Sequence, residues 1–178
     1  MRFTIRPDAW RFRRLATLAA AGCAVCAAAL AQPIASEEAR YFIEFRARPS
    51  SYIGHTFIIY GRTGSDGRVT ESHYAGLIPE RAAWRGVFFP IRGSVQKYKD
   101  DTRLPTRVIY RRPLSATEFA RVNLAVRQMR ASADKWHALF FNCNDFAIEI
   151  AEAIGLRRPP SLMPPEAWVS TLRAMNQR

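Results

Sequence analysis

An apolar run stops at Asn142, and beyond it the apolar residues recur at helical spacing, at Phe146, Ile150, Ala153 and Ile154. Asparagine is a good helix N-cap, so Cys143 falls in the first turn of the helix that follows. The unpaired N–H groups and the dipole at a helix start favour an anion, here a thiolate. A cysteine in such a place can titrate well below the free value of about 8.5 and be nucleophilic near neutral pH. Gly155 ends the helix as a C′ residue does. This junction fixes one strong requirement on the fold: the rest of the chain must pack around the start of a helix that carries a thiol.

The chain has 178 residues and a formal net charge of +12. Its first 31 residues read as a removable leader. Arg2, Arg6, Arg11, Arg13 and Arg14 form a basic start, Leu15 to Ala31 is an apolar run, and Ala29-Leu30-Ala31 has the small-x-small form of a signal-peptidase site. The run is short for a bilayer span, which takes about 20 apolar residues. A lipoprotein box at Ala21-Gly22-Cys23 or a twin-arginine signal at Arg13-Arg14 fits less well. The expected product is a periplasmic or secreted domain of residues 32–178, of a size that folds around one core. Without the leader it keeps one cysteine, Cys143, so no internal disulfide is possible. It carries 22 basic and 14 acidic side chains, a net +8. That balance suits anionic partners such as cell-wall polymers or a membrane surface. Nucleic acid is not expected, because the basic residues are scattered without interleaved aromatic side chains.

From Arg40 the pattern is that of strands. Tyr41 to Ala47 alternates, Tyr52 to Tyr60 is rich in β-formers, a Gly/Ser/Asp turn follows at 61–67, and Arg68 to Ala75 returns. An antiparallel meander is expected. Residues 76–105 give the weakest signal, with Val87 to Pro90 and Val95 to Tyr98 as short strands or an irregular insert. Thr106 to Arg111 predicts another strand, stopped by Pro113. Ser115-Ala116-Thr117-Glu118 is a capping box that opens a helix to about Ala133, with Phe119, Val122, Val126 and Met129 inward. Arg121, Arg127 and Arg130 fall on its expected solvated face. Pro164-Pro165-Glu166 opens a last helix to about Met175, with Trp168 and Leu172 inward.

A thiolate nucleophile needs a base, and imidazole suits that role near neutral pH. Three histidines are available. His55 follows Gly54 near the start of a strong strand, His73 lies on the return strand, and His137 sits six residues before Cys143. His137 is expected to be structural. Asp145 and Glu149 stand one turn apart and fit a helix-dipole partner plus a solvated face better than an acid pair. No HExxH, paired CxxC or EF-hand pattern points to a metal, and no GxSxG elbow or phosphate-cradling loop is present. No cofactor is expected.

Gly54-His55-Thr56-Phe57-Ile58-Ile59-Tyr60, the later Glu71-Ser72-His73-Tyr74-Ala75-Gly76, and Asn142-Cys143-Asn144-Asp145-Phe146 opening a helix resemble the circularly permuted papain-like superfamily. That group includes NlpC-type, lecithin-retinol acyltransferase-like and PPPDE-like proteins. The resemblance implies an α+β fold with an antiparallel sheet packed against helices, in which the histidine strands precede the nucleophile helix. It also implies that Cys143 is the nucleophile, His55 the base and His73 the orienting third member, with Glu71 as a rival for the third place. Asn142 and Cys143 stand at the helix cap, where the Cys143 N–H would be the oxyanion donor. The expected function is an exported, monomeric cysteine hydrolase (amidase or peptidase) or acyltransferase acting on a peptide, amide or acyl substrate. The alternative is a catalytically silent, basic envelope-binding module on the same fold.

Overall fold

A computed structural model describes residues 41–49, 54–80, 83–96 and 106–177, all within one compact unit, Glu37–Arg178. The expected leader, residues 1–31, lies outside them. The elements are β1 (Tyr41–Arg48), β2 (His55–Thr63), β3 (Val69–Pro79), β4 (Ile91–Gln96), β5 (Val108–Leu114), α1 (Ala116–Ser132), β6 (Lys135–Trp136), α2 (Cys143–Ala153) and α3 (Pro165–Asn176). The strands make one open antiparallel sheet in the order β5-β1-β2-β3-β4-β6. The protein is thus α+β, a six-stranded antiparallel sheet with three helices.

Strand alternation assigns the two faces of the sheet. Ile43, Phe45 and Ala47 of β1, Ile58 and Tyr60 of β2, and Ala75 and Leu77 of β3 point to one face. There they pack with Val122 and Val126 of α1, Phe146 and Ile150 of α2, and Trp168 and Leu172 of α3. Phe42, Phe57, Ile59 and Tyr74 form a smaller cluster on the opposite face. Seven consecutive residues of β2, from His55 to Gly61, are buried, so this strand is covered on both sides.

The meander and the three helices form where the sequence pattern puts them, and three local expectations change. Pro113 does not stop β5 but lies within it, opposite Phe42. β5 is the sheet edge, where a residue without an N–H leaves no ladder bond unmade. Residues 83–87 form a short 3-10 helix instead of leading into a strand at Val87, and β4 starts only at Ile91. Arg130 is not solvated: it is half-buried and donates to the Tyr74 carbonyl at 3.1 Å, tying α1 to β3. Among the described residues no helix is long and apolar enough to cross a membrane.

The expected capping box at α1 forms, and α2 carries a second one. Ser115 Oγ accepts from Glu118 N–H at 3.2 Å, and the Glu118 carboxylate accepts from Ser115 N–H at 3.0 Å. At α2, Asn142 Oδ1 accepts from Asn144 N–H at 2.8 Å, while Asp145 Oδ2 accepts from Asn142 N–H at 2.8 Å. The second box fixes where α2 starts, and therefore where Cys143 points.

Candidate active site

The β2–β3 ladder runs from Thr63–Val69 to Ile58–Ala75, and from Gly76 onward β3 continues its pairing on β4. The first three residues of β2, His55-Thr56-Phe57, lie past the end of that ladder. The start of α2 meets them there. Thr56 Oγ1 donates to Asn144 Oδ1 at 2.6 Å, and the Thr56 backbone N–H donates to the Cys143 sulfur. His55, one residue earlier, hydrogen-bonds to the same thiol. The two residues are 88 apart in sequence and are brought together by one strand end and one helix cap.

Burial works to raise the Cys143 pKa, because a thiolate is poorly solvated there. The hydrogen bond and charge of His55 outweigh it, helped by the N–H groups of Thr56 and of Cys143 itself. The thiol therefore lies below its ordinary range. Cys143 is only 6% exposed, yet it lines a cleft of about 500 Å³ with Trp136, Leu139, Asn142, Leu162 and Met163.

His55 is itself 7% exposed and held on two sides. Its ring stacks on Phe57 with centroids 5.7 Å apart, and Nε2 lies 3.1 Å from the Tyr74 hydroxyl. Tyr74 pairs with Ile59, four residues beyond His55, so both side chains leave the sheet on the same face. Gly76 makes room for this contact. A Cβ there would stand 2.7 Å from the Tyr74 hydroxyl and 2.9 Å from His55 Nε2, in the space the hydrogen bond occupies. Gly54 holds a positive φ of 73° just before His55, and a Cβ on it would crowd the Arg48 carbonyl and Pro165 at 3.2 Å.

The other sequence candidates are placed as follows. His73 does not meet His55. It pairs with Tyr60, five residues along β2 from His55. That is about 17 Å along the strand and, being an odd number, on the opposite face. Its Nε2 contacts Glu71 Oε1 at 2.7 Å in an exposed pair, so Glu71 is also away from the thiol. His137 is buried and structural: Nδ1 accepts from Leu139 N–H at 3.1 Å, shaping the turn before α2. Asn142 caps α2, and its Nδ2 donates to the Ala138 carbonyl at 2.9 Å. The backbone N–H groups beside the sulfur are those of Cys143 and Thr56. Asp145 is the reciprocal cap and Glu149 is exposed, so they form no acid pair.

Two residues escaped the sequence reading. Tyr74 occupies the place beside His55 expected of its neighbour His73. Asn144, 2% exposed, donates to the Ser161 and Met163 carbonyls at 2.9 and 2.8 Å while accepting from Thr56. It pins the Pro-rich loop that walls the cleft. An asparagine inside the first helical turn was the available signal, since it forms helix poorly and seeks local carbonyls.

Among the described residues no group of three or more His, Cys, Asp or Glu side chains is arranged to hold a metal ion. No protein-family model, curated protein or solved structure matches this chain.

Proposed function

We propose that the protein is an exported cysteine hydrolase or acyltransferase of the permuted papain-like type, working through a thioester on Cys143. The observation that carries this reading is the buried hydrogen bond between Cys143 and His55 at a helix start, with the thiol pKa lowered against the effect of burial. Depressed thiol pKa values of this kind are built by a base and a helix N-terminus together, and they serve nucleophilic catalysis.

With Tyr74 on Nε2, the thiol proton is assigned to Nδ1 of His55. The Cys143 thiolate attacks a substrate carbonyl carbon, and the oxyanion forms beside the Cys143 N–H. The tetrahedral species collapses as the carbon–leaving-group bond breaks. The leaving amine or alkoxide takes the proton from the His55 imidazolium. Water, or a second amine or alcohol, then gives its proton to His55, attacks the thioester and restores the thiol. Both ring nitrogens of the imidazolium are donors, so Tyr74 accepts from Nε2–H and holds the ring in orientation. Asn144 and Thr56 fix the helix start and the cleft wall.

The low exposure of Cys143 supports one rival, an inert basic binding module. Acylation separates the two readings. A chain carrying Cys23→Ser and Cys26→Ser, incubated with a short-chain p-nitrophenyl ester, is expected to acquire one hydroxylamine-labile acyl group on Cys143, mapped by mass spectrometry. The His55→Ala form is expected to acquire none in the same time. No adduct with any ester or activated amide would leave the binding module ahead.

A further inference from the structure

We propose that the segment 84–89 and the turn at Leu139-Phe140 form a docking face for an anionic lipid bilayer, at the mouth of the Cys143 cleft. Single exposed apolar side chains are ordinary, whereas a contiguous group marks an interaction surface. Here Phe88, Phe89 and Phe140 are 69%, 72% and 78% exposed, with Trp84 at 60% beside them. The two segments are joined, because Ala138 N–H donates to the Gly86 carbonyl at 2.9 Å. They also continue into the cleft, which Val87 and Leu139 line together with Cys143.

Charge selects the partner. Arg85 and Arg92 are exposed on these segments or beside them, and among the described residues the one carboxylate facing them is Glu80, 3.6 Å from Arg92. Lys135, exposed and paired with Arg92 across β4 and β6, adds a third cation next to Asp134, which leaves the balance positive within a domain of net +8. The Arg85 guanidinium lies over the Trp84 ring, 5.4 Å from its centroid. Exposed rings beside a cation match the two layers of a bilayer surface. Rings enter the headgroup–acyl boundary and cations meet anionic headgroups. Docking does not depend on the chemistry of Cys143. Its extension, that a membrane-borne carbonyl substrate enters the cleft directly from the bilayer, rests on the function proposed above.

The expected leader has an apolar run of its own, so bulk sedimentation with vesicles is not decisive, and Trp84 is the better reporter. Trp136 and Trp168 are buried, and Trp10→Phe removes the remaining tryptophan. Vesicles of equal parts phosphatidylglycerol and phosphatidylcholine with brominated acyl chains are expected to quench Trp84 emission in this full-length chain and shift it to the blue. Phe88→Ser with Phe89→Ser, two exposed positions outside the core, should raise the lipid concentration for half-quenching at least about tenfold with an unchanged melting temperature. Cys143→Ser should quench as fully as the parent, so failure of docking and failure of the catalytic reading are distinguishable. Absence of Trp84 quenching, or quenching unaffected by the paired serine change, would overturn the bilayer assignment and point to a protein partner.

Discussion

The β2–β3 pair carries two histidines, one beyond the end of its ladder and one inside it, and the two have opposite surroundings. At the end where β2 runs past the ladder, His55 is buried, stacked on Phe57, bonded to Tyr74 and in contact with Cys143. Inside the ladder, His73 is paired opposite Tyr60, exposed, and partnered by Glu71. Both are strand histidines in β-rich sequence. What separates them is the end of the hydrogen-bonded ladder, which admits a helix cap at one place and excludes it at the other. A site of this kind is made by topology more than by residue type.

The largest expected effect comes from exchanging the two histidines for alanine. His55→Ala returns Cys143 to the behaviour of a free thiol, of which only a few per cent is thiolate at pH 7. Iodoacetamide alkylation at that pH should fall at least about tenfold, while His73→Ala stays within about twofold of the parent. Gly76→Val comes next. Its side chain would enter the space between Tyr74 and His55, displacing the ring and overpacking a closed site. The thiol titration should move upward, and denaturant unfolding should show a loss of about 1–3 kcal/mol. Tyr74→Phe removes only the acceptor for the imidazolium. A hydrogen bond to a charged group is worth about 1.5–3 kcal/mol, so the thiol midpoint should rise by about one to two pH units, with the fold intact by circular dichroism. The smallest effect belongs to the exposed pair. Glu71→Gln should change stability by less than about 1 kcal/mol and leave the thiol titration where it was. An equal response at the two histidines would dissolve the contrast between them.

What was legible in the sequence was local. The Ser115–Glu118 box, the Asn142 cap, the helical spacing of Phe146 and Ile150, and the strand character of 41–47 each depend on neighbours within a few residues. The third member of the site was not legible, because it depends on register. Side chains alternate along a strand, so a choice between His73 and Tyr74 is a choice of face. That choice is made by the turn at 64–67 and by the register shift between Arg62 and Thr63. Composition favoured the histidine, and pairing selected the tyrosine. Gly76 was equally silent, since its role appears only when the His55 and Tyr74 side chains meet beside it. The 3-10 helix at 83–87 and the late start of β4 were hidden by an aromatic segment that resembles a strand yet leaves its rings in water. Pro113 misled for a simpler reason: proline ends a central strand but is tolerated on an edge.

The most direct test of the site is the pH dependence of Cys143 alkylation in the Cys23→Ser, Cys26→Ser chain. The parent, His55→Ala and His73→Ala forms should be compared under one set of conditions. The parent is expected to titrate below the free-thiol value of about 8.5, the His55 variant to move up to it or above, and the His73 variant to overlay the parent. A parent midpoint at or above the free-thiol value, or one that ignores His55, would contradict the thiolate–imidazolium pair on which the proposed chemistry depends.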